Sequence, residues 1–170
     1  MFLWFVAGGA VVVLLVFQAP TMDYRLVAAA TFAPEAFDRT VGLAVVGSGA
    51  WVRPWLGNAL LLPVLSLAAV ILIFRRGARR RQWLAVPIGL LVHHALDAAW
   101  SEPGLFWYPL QGVLPAYPSA APLDWLASPF TDAGVAVREL AGLAALVFLV
   151  RRFDLLGEGG RVLVREGRLG

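Results

Sequence analysis

The sequence predicts an all-α fold, a polytopic membrane bundle of about five transmembrane segments with an interrupted second helix. Its 170 residues are 60% hydrophobic, and the mean hydropathy is +0.76. Charged residues make up only 15%, against about 25% in ordinary soluble domains. The apolar residues fall into runs that approach bilayer-crossing length, closed by arginines or broken by proline. A chain this long suits one compact unit, with residues 1–152 as the bundle, including an extracytoplasmic cap over 101–129. Residues 153–170 then form a cytoplasmic Arg-rich tail.

Phe2 to Phe17 is an uninterrupted apolar run. It has no basic stretch ahead of it and no clear small-x-small cleavage pattern behind it, so it reads as a retained first helix rather than a signal peptide. Leu26 to Phe32 and the glycine-rich Val41 to Trp51 are two short apolar pieces separated by Pro34-Glu35-Ala36-Phe37-Asp38-Arg39. Such a break predicts an interrupted or re-entrant helix, tolerated only where it lines a cavity or is buried in protein. Trp55 to Phe74 is a full span closed by Arg75-Arg76-Gly77-Ala78-Arg79-Arg80-Arg81, and Trp83 to Trp100 is the next. Ser101 to Pro129 is too broken by Pro and Gly for a helix and too aromatic for a free linker. It predicts an ordered cap with Trp100, Trp107, Tyr108 and Trp125 at headgroup level. Ala133 to Val150 is the last span, followed by Arg151-Arg152 and a polar tail with Arg161, Arg165 and Arg168.

Charge orients these elements. All basic residues are Arg, the net charge is +3 and the pI is about 10.2. Because most of these arginines sit beside apolar spans, they read as topology signals, and nucleic acid is not an expected partner. The Arg75–Arg81 loop and the tail belong in the cytoplasm, the aromatic cap outside, and the trace gives an N-terminus out and a C-terminus in. The absence of cysteine excludes disulfides, thiolate metal sites and a cysteine nucleophile.

The chemistry-bearing stretch is Leu91-Val92-His93-His94-Ala95-Leu96-Asp97, which holds both histidines of the chain. In a helix His93 and Asp97 share a face at i and i+4, and His94 reaches Asp97 at i+3. This is a satisfied polar contact, half of a metal site, or a base with its orienting acid. Ionisable groups inside a membrane cost about 2.5–3.5 kcal/mol each on insertion scales and tend to mark function. A helix climbing from Arg25 carries Glu35 and Asp38 about 15–20 Å up, to the level where His93 and Asp97 end their helix and Asn58 begins another. Glu35 and Asp38, at i and i+3, are metal ligands, an acid and base, or a surface helix end with Asp38 beside Arg39. Asn58 caps its helix, donates to a substrate or weakly ligates a metal. Arg138-Glu139 forms a structural pair, or Arg138 snorkels outward while Glu139 supports the site.

These residues resemble the membrane-bound, predicted metal-dependent hydrolases of bacterial inner membranes. Asp23-Tyr24-Arg25-Leu26-Val27 followed by Ala33-Pro34-Glu35-Ala36-Phe37-Asp38 is similar to that family's helix ending in Pro-Asp-x-x-Asp. Gly89 to Asp97 is similar to its Gly-x-x-x-His-x-x-x-Asp helix, and Phe106-Trp107-Tyr108-Pro109-Leu110 to its Trp-Pro-Leu signature. The resemblance covers about two-thirds of the chain, Met1 to about Gln111. Two family histidines are missing. Leu3-Trp4-Phe5 stands where the first helix usually carries one, and Asn58-Ala59-Leu60-Leu61 where a His-Thr-Leu-Leu string opens the third span. The first carboxylate is Glu rather than Asp.

The resemblance implies a divalent metal on His93, Asp97, Asp38 and Glu35, with His94 as an alternative imidazole. An oxygen-rich set of this kind suits Mn, Mg or Fe better than Zn. One carboxylate would take a proton from metal-bound water, Arg53 or Arg138 would hold an anionic group, and Asn58 and Trp107 would contact substrate. A site at the bilayer surface suits a lipid or lipid-linked ester or phosphate. The alternative is a degenerate relative without metal, serving as a membrane scaffold or binding subunit. A small ion or solute conduit ranks below both, because no broken repeat pair is present.

Overall fold

The computed structural model describes residues 1–19, 22–46, 51–52, 59–111, 118–119 and 129–169, and for 38–46, 51–52 and 118–119 the backbone path alone. The fold is all-α apart from a two-residue antiparallel pairing of β1, Trp51–Val52, with β2, Pro118–Ser119. A π-helical turn, Trp4–Gly8, runs into α1, Gly9–Phe17, which stops at Gln18 in a left-handed conformation. After it come α2, Tyr24–Val46, and α3, Leu61–Ile73. A short α4, Ala78–Trp83, leads into α5, Ala85–Leu96. A 3₁₀ turn, Ala99–Ser101, and α6, Pro103–Phe106, follow. The chain closes with α7, Ala133–Arg152, and α8, Glu158–Glu166.

The second helix is not interrupted. α2 continues for 23 residues straight through Pro34. Proline has no N–H to donate to the carbonyl four residues back, and its ring crowds the preceding turn, so it opens a helix locally without ending it. A carbonyl of that turn, Thr31 O, lies 2.8 Å from His93 Nδ1 of α5. The Trp83 to Trp100 span is also shorter than expected. Trp83 belongs to α4, Pro87 sits in the first turn of α5, where an N–H has no acceptor to lose, and Ala98 at φ 50 closes the helix. Of the Trp55 to Phe74 span, α3 accounts for Leu61–Ile73, and Trp55 to Asn58 lie outside the described residues.

The last span is present as α7. Asp132 caps it, accepting from Gly134 N at 2.7 Å and Val135 N at 3.1 Å, and Arg151 and Arg152 close it. At 20 residues it is about 30 Å long, and among the described helices it alone is long and apolar enough to cross a membrane.

Small residues set the packing. A Cβ on Gly89 of α5 would lie 2.7 Å from Ala30 Cβ and 3.0 Å from Val27 O of α2. A Cβ on Gly9 would lie 2.7 Å from Thr31 Cγ2, and one on Gly142 of α7 would collide with the Leu3–Trp4 backbone. These glycines let helix axes approach to backbone contact. Around them Val13, Tyr24, Val27, Ala85, Val92 and Leu149 form one buried cluster.

The bundle has two unlike ends. At one end Tyr24 N donates to Gly167 O at 2.7 Å and Arg25 Nη1 to Val164 O at 2.8 Å, so the segment expected as a polar tail folds back over its described residues, 153–169, with α8 at its centre. Leu169 is buried there in the common core. Asp23 organises this end. Its carboxylate accepts from Arg25 Nη2 at 2.8 Å, Arg25 Nε at 3.1 Å and Gln82 Nε2 of α4 at 2.9 Å, and it is only 3% exposed. At the other end Trp4 Nε1 donates to Leu96 O, Leu3 N to Glu139, and Leu60 N to Phe106 O. Consequently α1, α3 and α7 run from the second end to the first, while α2 and α5 return.

Two stability predictions result. Gly142→Ala should lower stability by about 1–3 kcal/mol, because the clash is with backbone that cannot rotate away. Gly104→Ala, where a Cβ meets nothing within 4 Å, should change it by less than about 0.5 kcal/mol. Thermal unfolding in detergent measures both. Hydrogen bonds from Arg25, outweighing burial, hold the Asp23 carboxyl at about 2 instead of 3.8. The folded-state value is the lower one, so its contribution is complete above pH 4 and is lost as pH falls from about 4 to 2. Asp23→Asn should therefore cost about 2 kcal/mol at neutral pH and flatten the acid limb of the stability profile in that window.

Candidate functional site

The site end of the bundle is built where α5 stops. α5 puts His93 and His94 side by side at its last turn, 1% and 3% exposed, with ring centroids 5.9 Å apart. His93 Nδ1 meets Thr31 O at 2.8 Å, and His94 Nδ1 meets Leu90 O at 2.7 Å. Carbonyl oxygens only accept, so each Nδ1 carries its proton and donates, and Nε2 is the nitrogen left to face a partner. His94 Nε2 is buried and makes no hydrogen bond with the protein. A buried polar atom without a partner is uncommon and marks a place where a ligand, ion or water belongs.

Next to this turn lies a cleft of about 190 Å³, lined by Asp97, Ala98, Ala99, Ser101, Glu102, Leu105 and Arg138. The left-handed Ala98 turns the chain sharply after Asp97 and brings Ser101 and Glu102 back beside it. α7 contributes Arg138 from the opposite wall, where its Nη1 contacts Met1 Sδ at 3.6 Å. Two carboxylates, a hydroxyl and a guanidinium thus face one small volume at the end of an apolar bundle. Such a cleft can move a proton and hold an anionic group at the same time.

Of the residues predicted for the site, Asp97 and Arg138 line this cleft, and the two histidines adjoin Asp97 on α5. The charges of Asp97 and Glu35 both act on the His93 ring. Glu35 also stands 3.8 Å from the Met1 ammonium, which lies 3.6 Å from Glu139. Glu139 additionally accepts from Leu3 N at 2.9 Å, so it pins the start of the chain to α7 instead of pairing with Arg138. Trp107 does not line the cleft. It packs edge-on against Phe106 at 5.1 Å, and Phe106 in turn packs against His94 at 6.0 Å. The side chain of Asp38, and Arg53, Asn58 and Trp125, lie outside the described residues.

Three contributors escaped the sequence reading. Ser101 and Glu102 reach the cleft through a tight turn, and the local signal was Ser101-Glu102-Pro103, a helix-start pattern three residues beyond the His-x-x-x-Asp stretch. Phe5 is fully buried, with its ring 4.5 Å from His93 and tilted 33° to it. The Nδ1-donating imidazoles are the tautomer metal ligands use, and the bare Nε2 of His94 fits a metal in that respect. Among the described residues, however, no three His, Asp or Glu side chains group closely enough to hold one. The chain matches no protein-family model, no curated protein and no solved structure.

Proposed function

We propose that the chain is a multi-pass protein of a bacterial inner membrane, N-terminus out and C-terminus in, whose cleft beyond α5 hydrolyses an ester or phosphate of a lipid or lipid-linked substrate. The observation that carries this reading is a buried imidazole nitrogen without a protein partner, on the helix turn that leads into a charged cleft. Immersion in lipid is supported by the outer surface. Leu61, Val64, Leu65, Leu67, Ile71, Leu72 and Ile73 of α3, and Val137, Leu140, Leu143, Val147 and Phe148 of α7, are all exposed. An apolar patch of that extent is rare on a protein bathed in water. Orientation is supported by charge, since the arginines other than Arg39, Arg53 and Arg138 belong to the Asp23 end, the end the positive-inside rule assigns to the cytoplasm.

A divalent metal, Mn, Mg or Fe before Zn, would take His94 Nε2 as its imidazole donor with Asp97 and Asp38 as the proposed oxygen donors, since no three of His93, His94, Asp97 and Glu35 group closely enough to hold one. When bound, it would bring the pKa of a coordinated water toward neutrality. Asp97 or Glu102 is placed to take a proton inside the cleft, and Arg138 to steady the anionic part of the substrate. Trp107, through Phe106, holds His94 from the far side.

One observation favours a second reading, a scaffold that kept the fold and lost the chemistry. Phe5 sits against His93 on the helix where the resembled hydrolases carry a histidine, so an apolar ring occupies the place of a donor. Elemental analysis of detergent-purified protein separates the two. The hydrolase reading expects roughly one metal per chain in the wild type, lost at least tenfold in both His94→Ala and Asp97→Asn, with folding retained by circular dichroism. The scaffold reading expects none in the wild type and a gain in Phe5→His, which restores an imidazole beside His93. Metal that persists in His94→Ala and Asp97→Asn would remove the site assignment altogether.

A further inference from the structure

We propose that the turn joining α3 to α4, Phe74 to Trp83, is a binding site for the phosphate groups of anionic phospholipids, a reading that rests on the membrane placement above. Arg75, Arg76, Arg79, Arg80 and Arg81 lie within seven residues, and the sequence from Arg39 to Leu96 contains no Asp or Glu. Among the described residues none of these five arginines pairs with a carboxylate, and all but the half-buried Arg80 are exposed. Among the described residues the acidic group tied to this element is Asp23, held by Gln82 and already engaged by Arg25.

The turn is fixed in shape. The Phe74 and Trp83 rings stack at 5.5 Å and 10° across its base, closing the two ends on each other. Gly77 stands between Arg75-Arg76 and Arg79-Arg80-Arg81 at φ 147, a conformation side-chain-bearing residues rarely adopt, and Arg81 N closes the following turn on Gly77 O at 3.2 Å. Gln82 anchors α4 to Asp23 at 2.9 Å. The arginines are therefore held out from the bundle by a clasp instead of hanging on a loose loop, and their guanidinium groups suit bidentate contacts with phosphate oxygens.

What selects a lipid over another polyanion is the order of chemistry along the element. Leu72 and Ile73, 83% and 71% exposed, come first, then the half-exposed Phe74–Trp83 stack, then the arginines. That is the sequence of hydrocarbon, interface and headgroup met on leaving a bilayer, and an anionic leaflet attracts basic segments at that depth. A nucleic acid would not call for the apolar margin.

The test is a titration of the detergent-purified full chain with dihexanoyl phosphatidylglycerol and, in parallel, dihexanoyl phosphatidylcholine, followed by thermal shift. Phosphatidylglycerol should raise the melting temperature and phosphatidylcholine should not. The triple variant Arg79→Gln, Arg80→Gln, Arg81→Gln should weaken the phosphatidylglycerol midpoint about tenfold or more. The double variant Arg151→Gln, Arg152→Gln, at the same end but outside the turn, should shift it far less. Equal response to both lipids in the wild type overturns the proposal without reference to any variant. So does equal loss in the two variants, which would mean bulk charge alone, and so does displacement of the lipid by a single-stranded oligonucleotide at lower concentration. Resistance to carbonate extraction from cell membranes is read separately. If the chain is extracted, the membrane reading fails; if it resists extraction and ignores phosphatidylglycerol, only the lipid site fails.

Discussion

The contact on which the rest of the structure depends is the face-to-face packing of α2 on α5. Gly89 brings the α5 backbone against Val27, Ala30 and Thr31, and one turn further on the Thr31 carbonyl receives Nδ1 of His93. The hydrogen bond depends on the approach. Without the glycine the axes would stand too far apart for an imidazole to reach a main-chain oxygen. Thr31 Oγ1 bonds back to Val27 O and Ala28 O at 3.0 Å, which keeps its own hydroxyl satisfied in a fully buried position. The same crossing that builds the core therefore also fixes the tautomer and direction of a site histidine.

Charge divides the molecule along its length. Arginine gathers at the end where α2 and α5 begin, accompanied there by Asp23, Asp154, Glu158 and Glu166, whereas the described charges at the end where they finish are mostly carboxylates. At the arginine end one buried acid, Asp23, ties together α2, α4 and the C-terminal helix, and its low pKa records how many donors it satisfies. At the other end Glu35, Asp97, Glu102 and Glu139 converge with the Met1 ammonium and Arg138. A bundle with an apolar waist and unlike polar ends has a built-in direction, independent of any solvent placed around it.

The first and last long helices were legible because their signals are local. Phe2 to Phe17 and Ala133 to Val150 are runs of apolar residues with clear stops, and the structure ends the helices at Phe17 and Arg152. The continuity of α2 was not legible, since a proline inside a helix and a proline that ends one look alike in the local sequence. Nor was α8, whose Gly159-Gly160 start is a poor helix former. Its order comes from docking on Tyr24 and Arg25, and from Asp154 accepting Glu158 N at 3.1 Å. In the site, spacing alone placed His93, His94 and Asp97 together. Glu102 and Ser101 reach the cleft by a left-handed turn at an alanine, which no propensity rule anticipates, and α6 turns Leu105 rather than Trp107 into it.

The position of Phe5 ties fold and chemistry together. The π-helical turn Trp4–Gly8 widens the helix by one residue, sets Trp4 Nε1 on the Leu96 carbonyl and leaves the Phe5 ring 4.5 Å from His93, tilted 33° to it. Phe5 thus packs on the same imidazole whose Nδ1 is held by Thr31 O. An aromatic ring there shields His93 from water and adds packing, which stabilises the bundle whatever the site does. His94 Nε2 is equally buried but has no hydrogen-bond partner in the protein. His93, held by Thr31 O on one side and covered by Phe5 on another, is the imidazole that locks α5 to α2.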